Sequence, residues 1–117
     1  MRHKKIKAIV VSLLVSLASA VSFAQGASDD FTGKWKTAEG KDVVITKVGA
    51  GFIGEAIEKK IVILKDVNFS DGKWTATVFN PIKEVTADCE LFLEGSNLKI
   101  VATKGLMSKT IYWTKEL

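Results

Sequence analysis

The sequence predicts an all-β domain, a small antiparallel up-and-down meander of about eight strands closing into a barrel and preceded by a signal peptide. Three observations predict it. Apolar and polar residues alternate with period two through most of the chain, as in 86–94, and no stretch carries a helical period. Turn chemistry recurs at even spacing, at Glu39-Gly40, Gly49-Ala50-Gly51, Asp71-Gly72 and Gly95-Ser96-Asn97. A chain of 117 residues is also too short for two thick layers, so closure is the economical way to remove open strand edges.

The N-terminus reads as an export leader. Met1-Arg2-His3-Lys4-Lys5-Ile6-Lys7 is a basic start, 8–20 is apolar apart from three serines, and Ser22-Phe23-Ala24 places small residues for cleavage after Ala24. Ala18-Ser19-Ala20 offers a second site, and the apolar run is short for a spanning helix. The expected product is periplasmic or secreted, with no stable membrane insertion after cleavage. Residues 25–30 are small and polar and read as a linker, which leaves 31–117 as the single domain.

Removal of the leader changes the charge balance. Four of the seventeen basic residues leave with it, so thirteen lysines face thirteen carboxylates. No basic surface for nucleic acid is expected, and contact with an anionic membrane surface is no better supported. His3 and Arg2 are the chain's only His and Arg and both lie in the leader. Imidazole chemistry, zinc–histidine sites and guanidinium clamps on phosphate are therefore excluded from the mature chain. Neither cofactor nor metal is expected, and no enzymatic activity. Glu55 with Glu58, and Glu84 with Asp88 and Glu90, read as solvated strand faces, because a catalytic pair needs one carboxylate in an apolar pocket. Cys89 falls on an apolar parity with Ala87, Leu91 and Leu93 and reads as a buried small hydrophobe.

The strands follow in order. Residues 32–37 put Gly33 and Trp35 on one face and Lys34 and Lys36 on the other. Residues 41–48 and 52–58 flank a glycine-rich turn, and 61–69 align Ile61, Ile63, Val67 and Phe69 opposite Asp66 and Asn68. Asp71-Gly72 is a two-residue hairpin signal into 73–79, whose inner face is Trp74, Ala76 and Val78. Asn80-Pro81 ends that strand, because proline cannot donate to a ladder. Residues 86–94, 98–103 and 107–115 complete the meander, the last with Ile111 and Trp113 on one side. Gly-Lys-Trp occurs twice, at Gly33 and Gly72, but the residues beyond diverge and no duplication is read.

Several of these motifs together resemble a known family. Gly33-Lys34-Trp35, Val62-Ile63-Leu64-Lys65-Asp66-Val67, Asp71-Gly72-Lys73-Trp74, Asn80-Pro81, Asn97-Leu98-Lys99 and Ile111-Tyr112-Trp113-Thr114-Lys115 follow a leader in a telling order. That order is similar to the bacterial secreted family known as domain of unknown function 2147. The resemblance implies a small envelope β-domain and supplies no reaction. Lys83-Glu84-Val85 stands where that family usually has a Gly and a Tyr, so no site built from those two is implied. The first-strand Gly-x-Trp, with a cation after Trp113, also looks like the lipocalin-like pattern. There a Trp and a basic side chain close the barrel base.

The expected role is a non-catalytic binding domain that holds a small apolar or amphipathic ligand at the barrel mouth. Trp35, Trp74, Asn80 and Trp113 are the candidate contacts, the aromatics for apolar area and Asn80 as a polar rim group. The alternative is an interaction or structural module meeting an envelope protein through an exposed strand face, with Val44, Phe92 and Val101 outward by parity.

Overall fold

The computed structural model describes residues 26–116; the expected leader and its cleavage point lie outside the described residues. Eight strands follow one another: β1 (Gly33–Lys36), β2 (Asp42–Val48), β3 (Gly51–Ala56), β4 (Ile61–Ser70), β5 (Lys73–Asn80), β6 (Val85–Glu94), β7 (Asn97–Lys104) and β8 (Met107–Lys115). Each pairs antiparallel with the next, and β8 returns to β1 to close the barrel. The predicted strands all form, each within two residues of its expected bounds.

Alternation decides what is inside. Val43 and Ile45, Trp74 and Ala76, Cys89 and Leu91, and Leu98, Ile100 and Ala102 are buried at every second position. No polar or charged residue is buried among the described residues.

In β4 the simple period fails. Leu64 is fully buried beside Ile63, against the two-residue alternation expected there. Its register against β3 slips at Ile63 and again between Leu64 and Val67, and its register against β5 slips between Lys65 and Asn68. Asp66 absorbs the second slip with a φ of 55°. Each bulge adds one residue, so Ile63 and Leu64 share the inner face and Val67 and Phe69 recover it.

The two ends of the barrel differ. At one end lie the chain entry to β1 and the tips at residues 49–50, 71–72 and 95–96, which are glycine, alanine, serine or aspartate. At the other lie the turns at 37–41, 57–60, 81–84 and 105–106. Inward residues shrink from the first end to the second: Phe52 to Gly54 and Ala56 on β3, Trp74 to Ala76 on β5, Leu91 to Cys89 and Ala87 on β6, and Leu98 to Ala102 on β7. The core is thus aromatic at one end and lined by alanine, valine and isoleucine at the other.

Closure of the ring is short. β1 meets β8 only at Trp35–Lys115 and Lys36–Thr114, whereas β7 and β8 pair from Asn97–Thr114 to Lys104–Met107. The stretch Met107–Trp113 therefore has ladder partners on its β7 side alone. Outside the seam, Lys36 Nζ lies 2.9 Å from Glu116 Oε1 and 3.2 Å from Asp42 Oδ1. Hydrogen bonds from Lys36 and shared with Glu116 hold the Asp42 carboxyl below its ordinary range.

Cys89 is buried as expected, and desolvation with the nearby Asp88 charge pushes its thiol up to about 12. The unfolded chain ionises this thiol near 9.0. Its contribution to stability is therefore complete below pH 9 and is lost as pH rises toward 12. The urea midpoint of the native protein should fall between pH 8.5 and roughly pH 11 by more than that of Cys89→Ala. Equal falls in the two proteins would contradict this.

Candidate functional site

The segment ahead of β1 plugs the heavy end. Thr32 donates from its backbone N (2.9 Å) and its hydroxyl (2.7 Å) to Asp30 Oδ1, a local turn that turns Phe31 inward. The same two bonds hold the Asp30 carboxyl below its ordinary range. Phe31 is fully buried and meets Phe52 and Trp74 edge-on at 5.3 and 5.1 Å between ring centres. Trp74 Nε1 donates to the Gly26 carbonyl at 2.7 Å, and Trp35 Nε1 to the Phe31 carbonyl at 2.9 Å. Residues 26–30, expected as a linker, thus contribute a backbone acceptor to the closed end.

Lys115 completes that closure. Its Nζ donates to the Thr32 carbonyl at 2.6 Å and lies 4.9 Å from the Trp35 ring centre. It crosses Gly33, whose φ is 130° and whose missing Cβ would stand 2.7 Å from Lys115 Cε and Nζ. Glycine is required there for the backbone angle, and a Cβ would push the lysine tip away from its place over the strand. Lys115→Met should cost about 2 kcal/mol, because it removes a charge-assisted hydrogen bond and leaves the Thr32 carbonyl unpaired. A chemical denaturation midpoint unchanged from that of the native protein would show the lysine to be dispensable.

The four predicted contact residues do not form one site. Trp35, Trp74 and Trp113 are 1%, 2% and 3% exposed and belong to the core. Two of the three have their indole N–H bonded to backbone carbonyls. Asn80 stands on β5 six residues beyond Trp74, about 20 Å along the strand at the opposite end. Its Oδ1 accepts from Ile82 N (3.0 Å) and Lys83 N (3.2 Å), so the side chain fixes its own turn.

The mouth joins inner-face residues that the alternation placed to rim residues that it did not. Partly exposed Ala56, Ile61, Val78, Ala87 and Ile111 line its inner wall. On its rim stand Ile57, Ile82, Val85, Leu106 and Met107, all exposed apolar side chains in turns or at strand starts. Isoleucine, leucine and methionine at hairpin tips, where Gly, Asn and Asp are usual, were the available signal.

The outer wall carries a separate feature. A concavity of about 480 Å³ crosses β4 to β7 and is lined by Asp66, Thr75, Thr77, Asp88, Glu90 and Thr103 among others. Its lining mixes these carboxylates and threonines with Ala76, Cys89 and Val101. Among the described residues no group of carboxylates, thiols or imidazoles is spaced to hold a metal ion. Val44, Phe92 and Val101 do face outward but are each half-covered, and Lys99 Nζ sits 5.5 Å from the Phe92 ring centre. They form no bare strand face.

Comparison with protein-family models, with curated proteins and with solved structures finds no match. The reading of this site therefore rests on its geometry.

Proposed function

We propose that the protein is a non-catalytic binding domain of the bacterial envelope that seats a small apolar or amphipathic ligand at the barrel mouth. The observation that carries this is the asymmetry of the two ends. One is sealed by Phe31, Trp35 and Trp74, while the other combines an inner wall of alanine, valine and isoleucine, without aromatic rings, with an exposed apolar rim. A shallow seat of this kind takes one hydrocarbon chain more readily than a large rigid ligand. The one-sided pairing of β8 leaves the wall beside Ile111 without a ladder partner toward β1. The leader sequence and the order of motifs shared with domain of unknown function 2147 support an envelope location.

The test is an amide chemical-shift titration with dodecanoate below its micelle concentration. Shifts should concentrate at Ile82, Ala87, Ala102 and Leu106 and spare Ala50, Gly72 and Ser96. Ala87→Phe, which fills the inner wall, should weaken the interaction at least about tenfold, the loss of roughly 1.4 kcal/mol of binding. Shifts confined to the plugged end, or none at millimolar ligand, would refute the reading.

A further inference from the structure

Composition averages over a molecule whose charges and exposed apolar groups are not evenly placed. At the mouth, Ile82 is 82% exposed, Met107 is 78% exposed and Leu106 is fully exposed, with Ile57 less so. Among the described residues the plugged end exposes one large apolar side chain, Val48, beside tips that are otherwise small or polar.

The apolar tips are held in place. Asn80 fixes the turn that carries Ile82. Lys104 Nζ donates to the Thr86 carbonyl at 2.7 Å, tying the Leu106 hairpin to the start of β6. The β6–β7 ladder stops at Asp88 opposite Thr103, so the hairpin that carries Leu106 and Met107 projects beyond it at the same end as Val85.

Charge follows the same line. Segments 37–41, 57–60, 81–84 and 104–109 carry Lys41, Lys59, Lys60, Lys83, Lys104 and Lys109 against Glu39, Glu58 and Glu84. Glu58 is already engaged, 3.6 Å from Lys41 Nζ. Apolar tips interleaved with lysines match a surface that is anionic outside and hydrocarbon inside. A protein partner would need to present both layers at three separate hairpins.

We infer that the mouth docks tip-first onto an anionic lipid bilayer, with Ile82, Leu106 and Met107 entering the headgroup boundary and the lysines facing lipid phosphates. This rests on the ligand-binding reading above and identifies the source of its amphiphile. The contact is peripheral, with no strand crossing the bilayer, and its electrostatic part weakens as salt shortens the screening length.

The experiment compares Leu106→Trp with Ala50→Trp in the full chain, each read as a difference from the native emission. The vesicles contain phosphatidylglycerol and brominated phosphatidylcholine. Because the basic, apolar leader can partition by itself, the readout is depth at each tip rather than binding alone. Tryptophan at 106 should shift to shorter wavelength and be quenched by brominated chains, while tryptophan at 50 should not change. Vesicle partitioning should fall about five-fold for each of Lys59→Gln and Lys60→Gln and should drop in high salt. Leu106→Glu should abolish the tip contact.

Equal quenching at both tips, or equal binding to vesicles of neutral phosphatidylcholine, would overturn the proposal. So would self-association without vesicles that Leu106→Glu removes, since a second copy would then cover the tips. Dodecanoate binding at the mouth without vesicle docking would defeat the bilayer contact and leave the proposed function standing. Docking without dodecanoate binding would do the reverse.

Discussion

Phe31→Ala is expected to lose about 4 kcal/mol of stability and to lower the thermal midpoint by roughly 20 °C. Phe31 lies outside every strand, yet it is fully buried and packs edge-on against both Phe52 and Trp74. Its removal withdraws a whole ring from a site bounded by strands that are fixed by their ladders. The cavity can collapse only partly, which places the cost near the middle of the range for an aromatic truncation. The loss is a large share of the 5–15 kcal/mol typical of a small domain. Urea denaturation followed by tryptophan emission measures it, and a loss below 1 kcal/mol would show that the plug is ornamental. Phe31→Leu should recover most of the difference, since it restores apolar volume without the ring geometry.

Gly51→Ala should cost about 3 kcal/mol for the opposite reason, excess rather than missing volume. A Cβ at this position would run into the Val67 carbonyl oxygen, a backbone atom held in the β3–β4 ladder next to the bulge. The φ of Gly51 is not in the left-handed region, so contact distance, not backbone angle, makes glycine necessary. Relief requires β3 and β4 to separate where Phe52 pairs with Val67. Amide exchange at Phe52 and Val67 should accelerate in the variant well beyond that at Ile100 on the far wall. Unchanged exchange and a native denaturation midpoint would mean that the strands yield without cost.

The fold was legible because its signals are local. Alternation and turn residues fix where strands run, and 117 residues leave few ways to bury one face of eight strands. What escaped were features set by distant partners. The bulges in β4 obey the curvature of the closed wall, so Leu64 turns inward against its parity. Phe31 precedes the first strand, and only the three-dimensional position of Trp74 and Phe52 marks it as core.

The candidate site was legible only in part. Asn80-Pro81 does lie at the mouth, but the tryptophans chosen with it pack at the other end, because an indole brings more area to a core than to a shallow rim. The apolar tips carry no periodic signature, and their common end emerges only once the hairpins are stacked side by side. The neutrality expected of residues 25–117 likewise says nothing of how lysines are shared between two ends.

The short β1–β8 seam has a consequence for the order in which the chain folds. Every other strand pairing joins neighbours across a tight turn and can zip within its own hairpin. The seam instead unites groups such as Lys115 and Thr32, which stand 83 positions apart. Closing so long a loop is slow and is repaid by only two register pairs and the plug. The meander from β1 to β8 is therefore expected to assemble first as an open curl, with the β1–β8 seam and the Phe31 plug closing last, like the hoop drawn on to tighten a cask.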